Sequence, residues 1–181
     1  MMSTKAELVE AARRQQLMQH VPEVFGPGTL LYIGASPRRA QFLGELMAAG
    51  RETTLLEIWP ANCVYFREFG LQVVCGDVRE AATLSLPLQV YDLAFWWHGP
   101  EHVPPADLAR ALAALEARAR LVVVGCPWGL SPQVEVDGNV HQRHVASLAP
   151  GAFERLGYRV DTIGRVNGGS RSNILAVKWT S

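Results

Sequence analysis

Apolar positions along this chain follow two alternating patterns: short unbroken runs, and longer stretches in which they recur every three or four residues. Leu8, Val9, Ala12 and Leu17 have the second spacing and predict an amphipathic helix over 3–19, ahead of the main fold. Val21-Pro22 and Gly26-Pro27-Gly28 then interrupt the chain. The first unbroken run, 29–33, ends at Gly34. Ser36-Pro37 follows, an N-cap side chain beside a proline at a first helical position. It predicts a helix with Ala40, Leu43, Leu46 and Met47 on one face, stopped at Gly50. The alternation continues with a strand over 53–58, a helix over 60–69 closed by Gly70, and strands over 71–75 and 90–97. A helix over 105–119, a strand over 120–126 and a helix over 147–156 come next. The last strands, 158–163 and 173–179, flank Asn167-Gly168-Gly169, turn chemistry that suits an antiparallel hairpin.

Strands that are apolar at every position, rather than at every second one, belong in a parallel sheet covered by helices on both faces. Strands separated by helices imply right-handed crossovers and a doubly wound α/β fold. With 181 residues the expectation is one domain over 1–181, its core spanning 28–181.

Composition narrows the class. Hydrophobic residues make up 49% of the chain, which excludes a disordered polypeptide. Seventeen basic and 17 acidic side chains cancel, which argues against nucleic acid as a partner. No apolar run approaches the ~20 residues of a membrane span, and the charged N-terminal stretch is unlike a signal peptide, so a cytoplasmic protein without membrane contact is expected. Cys63, Cys75 and Cys126 lack CxxC spacing and read as buried free thiols in a reducing compartment, with neither a disulfide nor structural zinc.

In an open parallel sheet, ligands bind beyond the carboxyl ends of the strands where strand order reverses. Glu57 ends the second strand, where a carboxylate can accept from both ribose hydroxyls of an adenosine. Asp77 ends the third and can accept from an adenine amino group. The competing reading is that both acids simply cap helices. The first turn is GxSxxR rather than GxGxxG, which disfavours a dinucleotide.

The succession LLYIGASPRR, TLLEIW, VVCGDVRE, YDLAFWWHGPEHV and ARLVVVGCPWG resembles the class I S-adenosylmethionine-dependent methyltransferases over about residues 28–179. The resemblance implies a seven-stranded Rossmann-like sheet with a terminal antiparallel hairpin, and S-adenosylmethionine as cofactor. Carried over by position, the cofactor-binding residues would be Tyr32, Gly34, Ser36, Glu57, Ile58, Trp59, Asp77, Val78 and Trp97. Tyr32 stands where the family usually has an acid, and Gly34 alone remains of its glycine-rich loop.

Four of the five histidines fall in two loops, WWHGPEH at 96–102 and DGNVHQRH at 137–144. Three readings stay open: proton transfer or substrate contact, metal binding through imidazole and carboxylate, or structural capping. His98, Glu101 and His102 are the catalytic candidates, and Trp128, His141 and His144 the substrate-binding ones; no metal is assigned. Arg38 and Arg39, in a first helical turn, read either as solvated side chains or as facing an anionic group. The long segment 127–146 is expected to cover the site. These features point to a methyltransferase acting on a small molecule, with a homodimer as one way of enlarging the site. The alternatives are a non-catalytic module of the same fold that binds a ligand or partner, and an NAD-binding domain.

Overall fold

Successive side chains of a strand point to opposite faces, so an unbroken apolar run needs cover on both. The computed structural model, which describes residues 5–37, 40–163 and 172–180, provides that cover. Seven strands, β1 (Gly28–Ile33), β2 (Arg51–Glu57), β3 (Gln72–Cys75), β4 (Tyr91–Trp97), β5 (Ala119–Pro127), β6 (Arg159–Ile163) and β7 (Asn173–Trp179), form one sheet in the order β3-β2-β1-β4-β5-β7-β6. β1 to β5 run parallel, and β7 lies antiparallel to both β5 and β6. This is the expected Rossmann-like architecture with its terminal antiparallel pair.

Among the described residues, five α-helices accompany the sheet: α1 (Lys5–His20), α2 (Gln41–Ala48), α3 (Pro60–Glu68), α4 (Leu108–Glu116) and α5 (Pro150–Glu154). Alternate residues of the same strands serve two cores. Leu31, Ile33, Ala94, Trp96, Val122 and Val124 pack with Leu108, Leu112 and Leu115 of α4 and Phe153 of α5. Leu30, Tyr32, Leu93, Phe95, Leu121 and Val123 pack on the other face with Leu17 of α1 and Phe42, Leu43 and Leu46 of α2. Strand order reverses between β1 and β4, where Ile33 is paired with both Leu56 and Trp96.

Helix boundaries depart from the expectations for identifiable reasons. Ser36 does not cap α2, which starts at Gln41 with Ala40 at its N-cap and no side-chain bond there. The Ala35 N–H is donated to Glu57, holding this stretch as a loop. Residues 38 and 39 lie outside the described residues, so Arg38 and Arg39 are not placed. The helix expected over 105–119 is one 3-10 turn, Pro105–Asp107, followed by the shorter α4. Its C-terminal end is given up because Arg118 turns inward to donate to the carbonyls of Ala81, Ala82 and Leu84, at 2.9, 2.8 and 2.9 Å. The helix expected over 147–156 shrinks to α5, since Leu148 is held in a bridge with Gly129 and Ala149 precedes a proline. The Asn167-Gly168-Gly169 turn lies outside the described residues.

The cysteines also depart from expectation. Cys63 of α3 and Cys75 at the end of β3 are joined in a disulfide, with Cα atoms 5.9 Å apart; Cys126 is free and buried. Packing of α3 antiparallel to β3 sets the start of the helix beside the end of the strand and brings these side chains together, a proximity that spacing along the chain does not reveal.

Candidate active site

The loops leaving β1 to β5 surround a cavity of about 900 Å³ at the carboxyl edge of the sheet, the size expected of a small-ligand site. On the β1–β3 side its walls include Tyr32, Gly34, Ser36, Glu57, Ile58, Asp77 and Val78. Past Trp96 and Trp97 it continues to His98, Glu101, His102, His141 and His144. Candidates from both halves of the chain thus share one cavity.

Glu57 is 4% exposed. Its Oε2 accepts the Ala35 N–H at 2.8 Å and its Oε1 the Trp59 N–H at 2.7 Å, so the carboxylate clamps the first loop to the start of α3. Burial raises its pKa, and these backbone donors work against the rise. The Asn62 side chain and the Ile58 N–H act on this carboxylate in the same direction. Gly34 has φ +70° and nothing within 4 Å of where a Cβ would stand, so this loop offers bare backbone to the cavity.

Asp77 behaves as a cap as well. It accepts the Arg79 N–H at 2.9 Å at the head of a 3-10 turn and pairs with the Arg79 guanidinium at 2.6 Å, while Arg79 reaches Asp107 at 2.7 Å. Burial pulls the Asp77 carboxyl upward, but the bonds and charge of Arg79 outweigh it and hold the group below its usual range.

At the end of β4, two indoles take opposite faces of the sheet. Trp97 stacks on Phe95 at 5.8 Å, and Trp96 is buried in the other core. Each requires a glycine: a Cβ on Gly99 would overlap the Trp96 ring, and one on Gly125 the Trp97 ring. His98 follows with φ +55°, its N–H donated to the Gly125 carbonyl at 2.7 Å. A left-handed conformation at a non-glycine residue costs roughly 1 kcal/mol or more and is common at functional sites. It sets the His98 Nδ1 3.2 Å from Oε1 of Glu101, a residue only 2% exposed. Among the described residues, His98 Nε2, Glu101 Oε2 and Trp97 Nε1 are buried without a hydrogen-bond partner.

The segment after β5 folds over this group. Val145 and Ala146 donate to the Glu101 carbonyl at 2.9 and 3.0 Å, Gln133 Nε2 bonds the Gln142 carbonyl at 2.7 Å, and Asn139 accepts the His141 N–H at 2.9 Å. His144 Nδ1 bonds the Ser131 carbonyl, and His102 Nδ1 lies 3.1 Å from the Arg143 carbonyl. Burial lowers the His102 pKa, with the Glu101 charge opposing, so this imidazole is neutral at pH 7. The covering segment is therefore a hydrogen-bonded wall.

Two expected residues do not line the cavity. Trp128 is 48% exposed, its N–H donated to the Ser172 carbonyl, and stays outside the walls. Trp59 also lies outside and meets His141 edge-on at 6.0 Å between ring centroids. The sequence reading missed Arg79, whose long side chain joins acids from distant segments, and Phe42, Gln133, Asn139 and Gln142 in the walls. The Asp137-Gly138 turn was the available signal for the fold of that wall.

No protein-family model matches this chain, and neither does any curated protein. Solved structures do. A SAM dependent methyltransferase from Archaeoglobus fulgidus is similar with a TM-score of 0.65 and 22% identity, over 95% of this chain and 94% of that one. The Burkholderia thailandensis 1,6-didemethyltoxoflavin-N1-methyltransferase, crystallised with 1,6-didemethyltoxoflavin and S-adenosylhomocysteine, gives 0.64 and 16% over 98% and 80%. A putative Zn-dependent alcohol dehydrogenase from Rhodobacter sphaeroides gives 0.67 and 8% over 92% and 90%. The fold is that of the class I methyltransferases. A fold does not by itself specify a reaction, which must be argued from the site.

Proposed function

We propose that this protein transfers a methyl group from S-adenosylmethionine to a small-molecule acceptor. One observation carries the proposal: a single cavity at the strand-order reversal joins an adenosine-compatible end, built on Gly34, Glu57 and Asp77, to a buried His98–Glu101 pair. The fold shared with methyltransferases of known cofactor supports it.

The residues present fit that cofactor. The open face of Gly34 admits close approach, and the Glu57 carboxylate, which lines the cavity, can accept ribose hydroxyls. Asp77 and Val78 would border the adenine, Tyr32, Ser36 and Ile58 would close the sides, and Trp97 would separate the two ends of the cavity. The cofactor supplies an electrophilic methyl for in-line displacement, leaving orientation and proton removal to the protein.

For that task His98 is the catalytic residue. Its Nδ1–H donates to Glu101, which sets the tautomer and leaves the Nε2 lone pair free to take a proton from an acceptor hydroxyl or amine. Glu101 is a positioning residue that also stabilises the imidazolium, while His102, His141 and His144 would contact the acceptor. The cavity volume suits a cofactor with a compact acceptor rather than a polymer.

Calorimetry with S-adenosylmethionine and S-adenosylhomocysteine is the test. Binding of both is expected, with NAD silent. Absence of heat with either at about 1 mM, a strength of roughly −4 kcal/mol, or preferential NAD binding, would overturn the reading. Binding without turnover of any acceptor would favour the non-catalytic module.

A further inference from the structure

The His98–Glu101 pair shares Glu101 with a second arrangement. Glu101, His102 and His144 each offer a ligand atom, and these atoms lie within 4.8 Å of one another. Both histidines are oriented from behind: His102 Nδ1 lies 3.1 Å from the Arg143 carbonyl, and His144 Nδ1 bonds the Ser131 carbonyl. A carbonyl only accepts, so each Nδ1 carries a proton, and Nε2 is the ring nitrogen left to ligate an ion. An imidazole whose distal N–H is tied to a backbone carbonyl is the usual second-shell arrangement of a metal-binding histidine.

The third group completes the set. Glu101 is 2% exposed, and its Oε2 has no hydrogen-bond partner among the described residues. His144 Nε2 stands 3.9 Å from Glu101 Oε1, beyond hydrogen-bonding range. Two imidazole nitrogens and a carboxylate oxygen thus converge with no hydrogen bond joining His144 to Glu101. Such an arrangement is costly for three acceptors alone and favourable around a cation.

We propose that Glu101, His102 and His144 form a binding site for a divalent first-row transition metal ion. Two imidazole nitrogens and one carboxylate oxygen match the donor set of zinc sites that keep a coordination position open, and of facial-triad iron sites. The ligands come from the 3-10 turn Pro100–His102 and from the segment after β5, so the ion would fasten that wall to the end of β4. All three line the cavity, which leaves the open position for an oxygen or nitrogen of the acceptor. The site does not depend on which group is transferred.

The test uses untagged, chelator-treated protein titrated calorimetrically with Zn(II), with Co(II) as a visible-absorption probe and Mg(II) as the hard-cation control. One equivalent of Zn(II) is expected to bind at micromolar strength or better, with Co(II) d–d bands and no competition from Mg(II). His144→Ala and His102→Ala should each weaken Zn(II) by more than about tenfold, and Glu101→Gln likewise. No Zn(II) binding at about 1 mM would overturn the site, as would equal affinity in all three variants, which would place the ion elsewhere. S-adenosylhomocysteine binding by the same variants reports that they are folded and separates the two readings. Zn(II) bound without the nucleoside would sink the methyltransferase, and the nucleoside bound without Zn(II) would sink the metal.

Discussion

Glu57 shows how a group that closes the fold locally can also be the group a ligand needs. Its carboxylate holds the loop after β1 to the start of α3 through two backbone donors. A Glu57→Gln variant keeps the shape but turns one acceptor into a donor that faces a donor. Charge-assisted hydrogen bonds contribute about 1.5–3 kcal/mol each, so S-adenosylhomocysteine should bind about ten- to a hundredfold more weakly, measured by calorimetry. Strand-end acids such as Glu57 and Asp77 are legible in a sequence because the fold fixes where a strand ends. Arg79 is not, since the guanidinium that joins Asp77 to Asp107 spans a distance along the chain that local pattern does not report. Trp128 misled for a related reason: its place after β5 is at the carboxyl edge of the sheet, but its backbone N–H bond to Ser172 goes with an exposed side chain. Gly99 carries a sharper consequence. Its missing Cβ leaves room for the Trp96 indole, so Gly99→Ala should lower stability by about 1–3 kcal/mol in urea unfolding, as overpacked cores do.

At the scale of elements, the order of strands and helices was readable because apolar runs and helical spacing are local signals. The helix ends were not, because each was decided by a partner outside the helix: Glu57 before α2, Arg118 after α4 and the Gly129–Leu148 bridge before α5. The disulfide belongs to the same class. Cys63 and Cys75 meet only when α3 lies on β3, and their pairing removes the thiol argument for a reducing compartment. Alkylation in denaturant without reductant should label one cysteine, Cys126, and all three after reduction. Cys75→Ser should cost about 3 kcal/mol on a chain-entropy estimate for a loop of this length, seen as a lowered urea midpoint. Equal labelling before and after reduction would show the thiols unpaired. The wall after β5 makes its own prediction: its hydrogen bonds to Glu101 and within itself should resist protease in the absence of ligand. Rapid cleavage within 131–144 in the free protein, suppressed by S-adenosylhomocysteine, would instead mark it as a lid.

For the whole molecule, zero net charge conceals carboxylates held in opposite directions. Asp92 accepts the Thr29 N–H at 2.8 Å and the Thr29 hydroxyl at 2.9 Å, joining the starts of β1 and β4, and these bonds hold its pKa low. Asp77 is held low by Arg79 at the other edge of the sheet. A carboxyl with a depressed folded-state pKa leaves the unfolded chain holding more protons below about pH 4, so both acids contribute stability above that pH and lose it as pH falls. Glu57 works the other way. Its raised pKa means that the folded state keeps the proton longer, so its contribution is full below about pH 4.3 and is lost as pH rises through the folded-state value. The urea midpoint of the wild type should therefore fall steeply on acidification below about pH 4 and decline slightly on the neutral side. Asp92→Asn should flatten the acid limb, because it removes a carboxyl that must be protonated before its bonds break. Glu57→Gln should leave the acid limb in place and remove the neutral-side decline, whatever offset the lost hydrogen bond adds at every pH. An acid limb unchanged in Asp92→Asn would mean that the link between β1 and β4 is not what fails in acid.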